Sequence, residues 1–117
     1  MAMTDASLTT VGTHALIDVR GARRLDEPGH LEAVMRAAAD EAGATVLQAH
    51  FHHFGPHMGV TGVLMLAESH ISIHTWPETD YAALDIFMCG AARIDAAIAV
   101  IERAFAPASV DVRRLKR

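Results

Sequence analysis

Between Thr45 and Met88 apolar residues fall at nearly every second position, interrupted only by short turn material. A period of two is the spacing of strands with one buried face. Connections this short join neighbours that run antiparallel. Leu47, Ala49 and Phe51 point one way, and Gln48, His50 and His52 the other. The loop Gly55-Pro56-His57-Met58-Gly59 breaks that strand. Val60 to Ala67 is nearly all apolar, and Ile71, Ile73 and Thr75 then alternate with His70, Ser72, His74 and Trp76. From Tyr81 to Met88 a further strand shares Ala82, Leu84, Ile86 and Met88 on one face, and Gly90 ends it.

Helical spacing flanks this region. Leu31, Val34, Met35, Ala38 and Ala42 form one stripe, with Glu32, Arg36 and Asp40 four apart on the far face. Pro28 suits the start of that helix and Gly43 its end. A second helix runs from about Ala92 to Phe105 on the stripe Ile94, Ala97, Ile98, Ile101 and Phe105, and Pro107 stops it. His14 to Arg20 reads as a first strand with Ala15, Ile17 and Val19 inward, and Val110 to Arg113 as a short last one. The expected fold is an α+β two-layer sandwich: a mainly antiparallel sheet with two helices on one face. Its histidine-bearing side would then face solvent or a partner.

The length of 117 residues and 51% hydrophobic content suit a single domain over residues 1–117. A net charge of −4 argues against a protein built to neutralise a phosphate backbone, so no nucleic-acid partner is expected. No apolar run reaches the ~20 residues of a membrane span. The opening MAMTDASLTT lacks the basic start and apolar stretch of a signal peptide, so a cytoplasmic address is expected. One cysteine, Cys89, excludes an internal disulfide and a Cys-rich zinc site. Histidine is the unusual supply: eight in all, six of them between His50 and His74.

Two chemistries fit these histidines on spacing alone. Ser69 lies beside His70, and a hydroxyl near an imidazole is the minimum for an activated nucleophile. There is no G-x-S-x-G elbow, and the plainer reading is that Ser69 and His70 cap a turn. His50 and His52 share a strand face that His70 and His74 would oppose from a neighbouring strand, a set able to bind a transition metal. The plainer reading there is a polar sheet face, and no metal is assigned.

The stretch Ala67-Glu68-Ser69-His70-Ile71-Ser72-Ile73-His74-Thr75-Trp76-Pro77-Glu78, followed by Tyr81-Ala82-Ala83-Leu84-Asp85-Ile86-Phe87-Met88-Cys89-Gly90, resembles the short prokaryotic S-adenosylmethionine decarboxylases. The similarity reaches upstream through Gly43-Ala44-Thr45, Phe51-His52-His53-Phe54 and Gly59-Val60-Thr61-Gly62-Val63, and weakly to Gly12-Thr13-His14. The resemblance implies a proenzyme that cuts itself between Glu68 and Ser69, into fragments 1–68 and 69–117. Ser69 would become a covalent pyruvoyl cofactor that forms a Schiff base with the substrate amine and serves as the electron sink for decarboxylation. His74 matches the processing acid/base, Thr61 stands where a serine assisting that step is usual, and Cys89 matches the proton donor. A lone cysteine is more often a small buried hydrophobe, and the resemblance is what favours the acid.

The resemblance further implies a homodimer of processed protomers with active sites at or near their interface, acting in polyamine (spermidine) biosynthesis. Phe54 and Trp76 match aromatic residues that stack on the purine, and Glu78 could accept hydrogen bonds from base or sugar. Their plainer readings are a loop anchor, a packing residue and a solvated turn charge. Asp18 is a further acid near the first strand. The loop from Gly55 to Gly59 is one residue longer than the usual pattern, and Arg20 stands where an apolar or aromatic residue is more usual. Relatives decarboxylate L-ornithine or L-arginine with the same pyruvoyl group, which leaves those substrates as the alternative. A non-catalytic regulatory or metal-binding module, never processed, is the remaining one.

Overall fold

A computed structural model describes residues 10–117; the first nine residues of the opening segment, on which the leader reading rests, lie outside the described residues. The elements are β1 (Gly12–Arg20), α1 (Pro28–Glu41), β2 (Val46–His53), β3 (Val60–Leu66), β4 (Ser69–Trp76), β5 (Tyr81–Cys89), α2 (Ile94–Phe105) and β6 (Ser109–Lys116). The six strands form one sheet in the order β2-β3-β4-β5-β1-β6, with every neighbouring pair antiparallel. Helix α1 packs on α2 and lies over β2 and β3, while α2 reaches β5. This is the α+β sandwich the sequence periods predict.

Alternation supplies the core. Ala15, Ile17 and Val19 of β1 are buried with Leu64 and Leu66 of β3, Ile71 and Ile73 of β4, and Ala82, Leu84, Ile86 and Met88 of β5. Leu31, Met35 and Ala38 of α1 and Ile98 and Ile101 of α2 close over them. Pro28 opens α1, and Gly43 ends it at φ 76°. The Gly43 and Ala44 amides donate back to the carbonyls of Asp40 and Ala39, so the last turn leaves no stray acceptors. On β3, Gly62 sits opposite Phe51, and any side chain there would meet the Phe51 ring at 2.1 Å. The buried Thr75 hydroxyl donates to the Leu25 carbonyl at 2.7 Å and accepts from the Val60 amide at 2.8 Å.

Two local expectations change. A bulge between Val46 and Gln48 turns Leu47 outward, so Val46 packs on the core and Leu47 is exposed. The last strand is twice the expected length and pairs with β1 from Ser109 to Lys116. Its Arg113, Arg114 and Lys116 carry no apolar alternation because an edge strand is held by its ladder rather than by burial. No helix among the described residues is long and apolar enough to cross a membrane.

Candidate active site

The β3–β4 connection is two residues, Ala67 and Glu68, with Leu66 paired to Ser69 across it. Tight loops favour glycine or asparagine wherever φ is positive. Here Glu68 holds that conformation, at φ 61°. Left-handed backbone under a Cβ costs about 1 kcal/mol or more. That strain therefore sits on the residue whose carbonyl carbon is bonded to Ser69.

The end of β5 brings the thiol alongside this turn. Cys89 Sγ–H donates to the Glu68 carbonyl oxygen at 3.3 Å, and Sγ lies 3.9 Å from Ser69 Oγ. Glu68, Ser69 and Cys89 line a cleft of about 650 Å³ together with Thr45, Gly90 and Arg93. A small carbonyl group replacing the Ser69 side chain would thus face open space, with a proton-bearing sulfur beside it, so the chain accommodates a pyruvoyl group here. His70 does not partner Ser69. Its Nε2 turns to Asp85 Oδ2 at 2.7 Å, which removes the hydroxyl–imidazole pair the spacing allowed.

A second cluster occupies the other end of β4. Thr61 and His74 face one another in register, and Thr61 Oγ1 is 3.1 Å from His74 Nδ1. They line a cleft of about 250 Å³ with Phe54, Met58, Trp76 and Glu78. Phe54 is 55% and Trp76 42% exposed, so both leave ring surface open at this cleft. Phe54 meets the edge of His52 at 4.6 Å, and Trp76 stacks on Tyr81 at 5.3 Å. The site residues expected from the sequence therefore fall into two groups. Glu68, Ser69 and Cys89 form one; Thr61, His74, Phe54, Trp76 and Glu78 form the other. Five residues of extended strand separate Ser69 from His74, about 16 Å.

A third cluster lies midway and had no clear counterpart in the sequence reading. Asp85 Oδ2 is 2.6 Å from His14 Nε2 and 2.7 Å from His70 Nε2, and Ser72 donates its hydroxyl to Oδ1. Burial pushes the Asp85 carboxyl up, but the bonds from Ser72, His14 and His70 outweigh it and hold the group below its ordinary range. The signal was a lone acid among Ala83, Phe87 and the histidines on one strand face. The ligand atoms of His14, His70 and Asp85 lie within 4.8 Å of one another, near enough to ask whether they hold a metal. Arg117 Nη1, a donor only, lies 3.2 Å from His14 Nδ1. His14 must then carry its proton on Nε2, aimed at Asp85, where a metal would need that lone pair. The cluster is a hydrogen-bond hub. The other metal grouping, His50 and His52 with His70 and His74, does not form, because β3 runs between β2 and β4.

Residues 13–117 match the family model described as S-adenosylmethionine decarboxylase. A Sulfurihydrogenibium protein named S-adenosylmethionine decarboxylase proenzyme is 47% identical over 83 residues, 69% of this chain and 62% of that protein. The chain thus spans less than two thirds of that relative's length. A protein of the same name from Thermomicrobium roseum is 35% identical over 94% of this chain and 96% of its own length. The crystal structure of the adenosylmethionine decarboxylase from Aquifex aeolicus superposes with a TM-score of 0.84 at 34% identity, covering 92% of this chain and 91% of that one.

Proposed function

The chain belongs to the S-adenosylmethionine decarboxylase family, and on that premise we propose that it is a self-processing, pyruvoyl-dependent decarboxylase of S-adenosylmethionine. The observation that carries this reading is the Cys89 thiol hydrogen-bonded to the strained carbonyl just before Ser69. A donor on that oxygen stabilises negative charge as the carbonyl is attacked. Ser69 Oγ forms a bond to the Glu68 carbonyl carbon, and the Glu68–Ser69 amide bond breaks to leave an ester. Removal of the Ser69 α-proton then breaks the ester C–O bond, freeing fragment 1–68 with a new carboxylate. The dehydroalanine left on fragment 69–117 takes up water and loses ammonia, which gives the pyruvoyl cap.

Once formed, that group supplies the electron sink for the bond to carbon dioxide. Cys89 holds a proton beside it, positioned to deliver to the substrate carbon. The purine stacks on Trp76 with Phe54 across the cleft, and Glu78 accepts hydrogen bonds from the base or ribose.

These two halves work together only across a dimer. His74 cannot move a proton at Ser69 of its own chain over about 16 Å, since transfer needs hydrogen-bond contact. Thr61 and His74 lie toward one end of the uncovered sheet face, and Ser69, with Cys89 beside it, sits at the opposite end of β4, where it lines a cleft with Val63, Met65 and His70 of that face. A second copy turned by a two-fold axis sets each group against its complement, because an isologous interface matches residue i to j and j to i. Val63, Met65 and Trp76 are exposed on this face, which suits it to such burial. This dimer, a single 1–117 domain before cutting, a cytoplasmic address and a place in polyamine synthesis complete the reading.

The test is the intact mass of purified protein, joined to carbon dioxide release from S-adenosylmethionine, L-ornithine and L-arginine. Fragments 1–68 and 69–117 with release from S-adenosylmethionine alone are expected, and Ser69→Ala abolishes both. Release by Ser69→Ala would sink the mechanism. Release from an amino acid instead would replace the substrate, and an uncut, inactive chain would return the regulatory module.

A further inference from the structure

Trp76 is backed by a row that runs straight across three strands. Arg20 of β1 pairs with Tyr81 of β5, and Tyr81 pairs with Trp76 of β4. The Arg20 guanidinium carbon stands 4.5 Å from the Tyr81 ring centroid. On the other strand the Trp76 indole stacks on that ring at 5.3 Å, with the planes 22° apart. Tyr81 Oη donates to Asp18 Oδ1 at 2.5 Å, two residues back along β1 from Arg20. That bond, ahead of burial, raises the phenol above its ordinary range, with Arg20 opposing, so the donor stays protonated. Ring, hydroxyl and indole are thus all pinned on one side, while Trp76 stays 42% exposed overall and lines the cleft shared with Phe54 and Glu78.

We infer that Tyr81, tied by Asp18 and capped by Arg20, is a positioning residue that sets the plane of Trp76 for a purine base. This rests on the stacking role given to Trp76 above. An indole free to turn would surrender rotamer freedom each time a base bound, whereas a pre-stacked one does not. Tyr81 alone touches no substrate in this arrangement. Arg20 is the part most particular to this chain: a cation over one ring face supports the stack from the side away from the indole.

Trp76 is the chain's only tryptophan, so its emission reports on this site alone. The test titrates adenosine, which carries the base but no amine or carboxylate for the reaction, into purified protein while following Trp76 emission and anisotropy. Adenosine should quench the wild type. Tyr81→Phe, which keeps the stack and loses the Asp18 bond, should weaken binding by about two- to tenfold. Tyr81→Leu should weaken it by about tenfold and lower the anisotropy of the free protein. Arg20→Leu should weaken it by about twofold. In turnover with S-adenosylmethionine the same variants should raise KM and leave kcat near the wild-type value, a split that general destabilisation would not produce. Undiminished adenosine affinity in both Tyr81 variants overturns the positioning role while leaving the stacking reading intact. No quenching by adenosine in the wild type overturns both.

Discussion

The separation of Ser69 from His74 makes a numerical demand on any assembly of this chain. They lie five residues apart on one strand, about 16 Å, while a proton passes between groups about 3 Å apart. A chain carrying Ser69→Ala keeps His74, and one carrying His74→Ala keeps Ser69; each alone should stay whole. In a two-fold pair of the two variants, one site receives both native groups and the other neither. Random pairing at equal expression places about half of all chains in mixed pairs. About half of the His74→Ala chains should then be cut, and decarboxylation should approach about a quarter of the wild-type rate. Co-expression with two tags, tandem purification of the mixed pair and denaturing mass spectrometry read the outcome directly. In that purified pair every His74→Ala chain should be cut and every Ser69→Ala chain intact. Wild-type cutting by His74→Ala alone, or none in the mixed pair, would refute the reasoning.

Cys89→Ala should still produce both fragments, more slowly for want of the thiol on the Glu68 carbonyl, and should lose turnover or misplace the proton; normal product at the normal rate would remove Cys89 from its role. Glu68→Gly takes away a left-handed penalty of about 1 kcal/mol. In a Ser69→Ala background Tm should rise by about 4 °C, and in the native chain cutting should slow by about fivefold; no change in either would mean the turn stores no strain. The lowered Asp85 carboxyl stabilises the fold above its unfolded pKa of about 3.9, and the gain is lost as pH falls through the lower folded value. Urea midpoints from pH 6 to pH 3 should therefore drop in the wild type more steeply than in Asp85→Asn, and parallel profiles would count against the hub.

What could be read from the chain and what could not divide along a physical line. Alternation at Ile71, Ile73 and Thr75, or at Ala82 to Met88, depends only on which side of a strand is buried, so these elements were legible. The bulge that turns Leu47 outward shifts the register by one residue and leaves no compositional mark. Motif order named Ser69, His74 and Cys89 together, because a resemblance lists residues along the chain. Their distances belong to strand length and pairing, and only those show that His74 keeps company with Thr61 while Cys89 keeps company with Glu68. Asp85 went unnoticed for a related reason: its partner His14 is 71 residues away, and only the β1–β5 ladder brings them together.

The order of strands in the sheet bears on the life of the cut molecule. Fragment 1–68 contains β1, β2 and β3, and fragment 69–117 contains β4, β5 and β6. Across the sheet the two sets interleave, with β1 held between β5 and β6, so the β3–β4, β5–β1 and β1–β6 ladders would all join one fragment to the other. A cut between Glu68 and Ser69 would leave the two pieces plaited and would release nothing. Yet a processed molecule that once unravels has become two polymers in solution. It must find its other half by diffusion, with no peptide bond to remake and no second serine to spend. Durability, in such a protein, is a matter of never letting go.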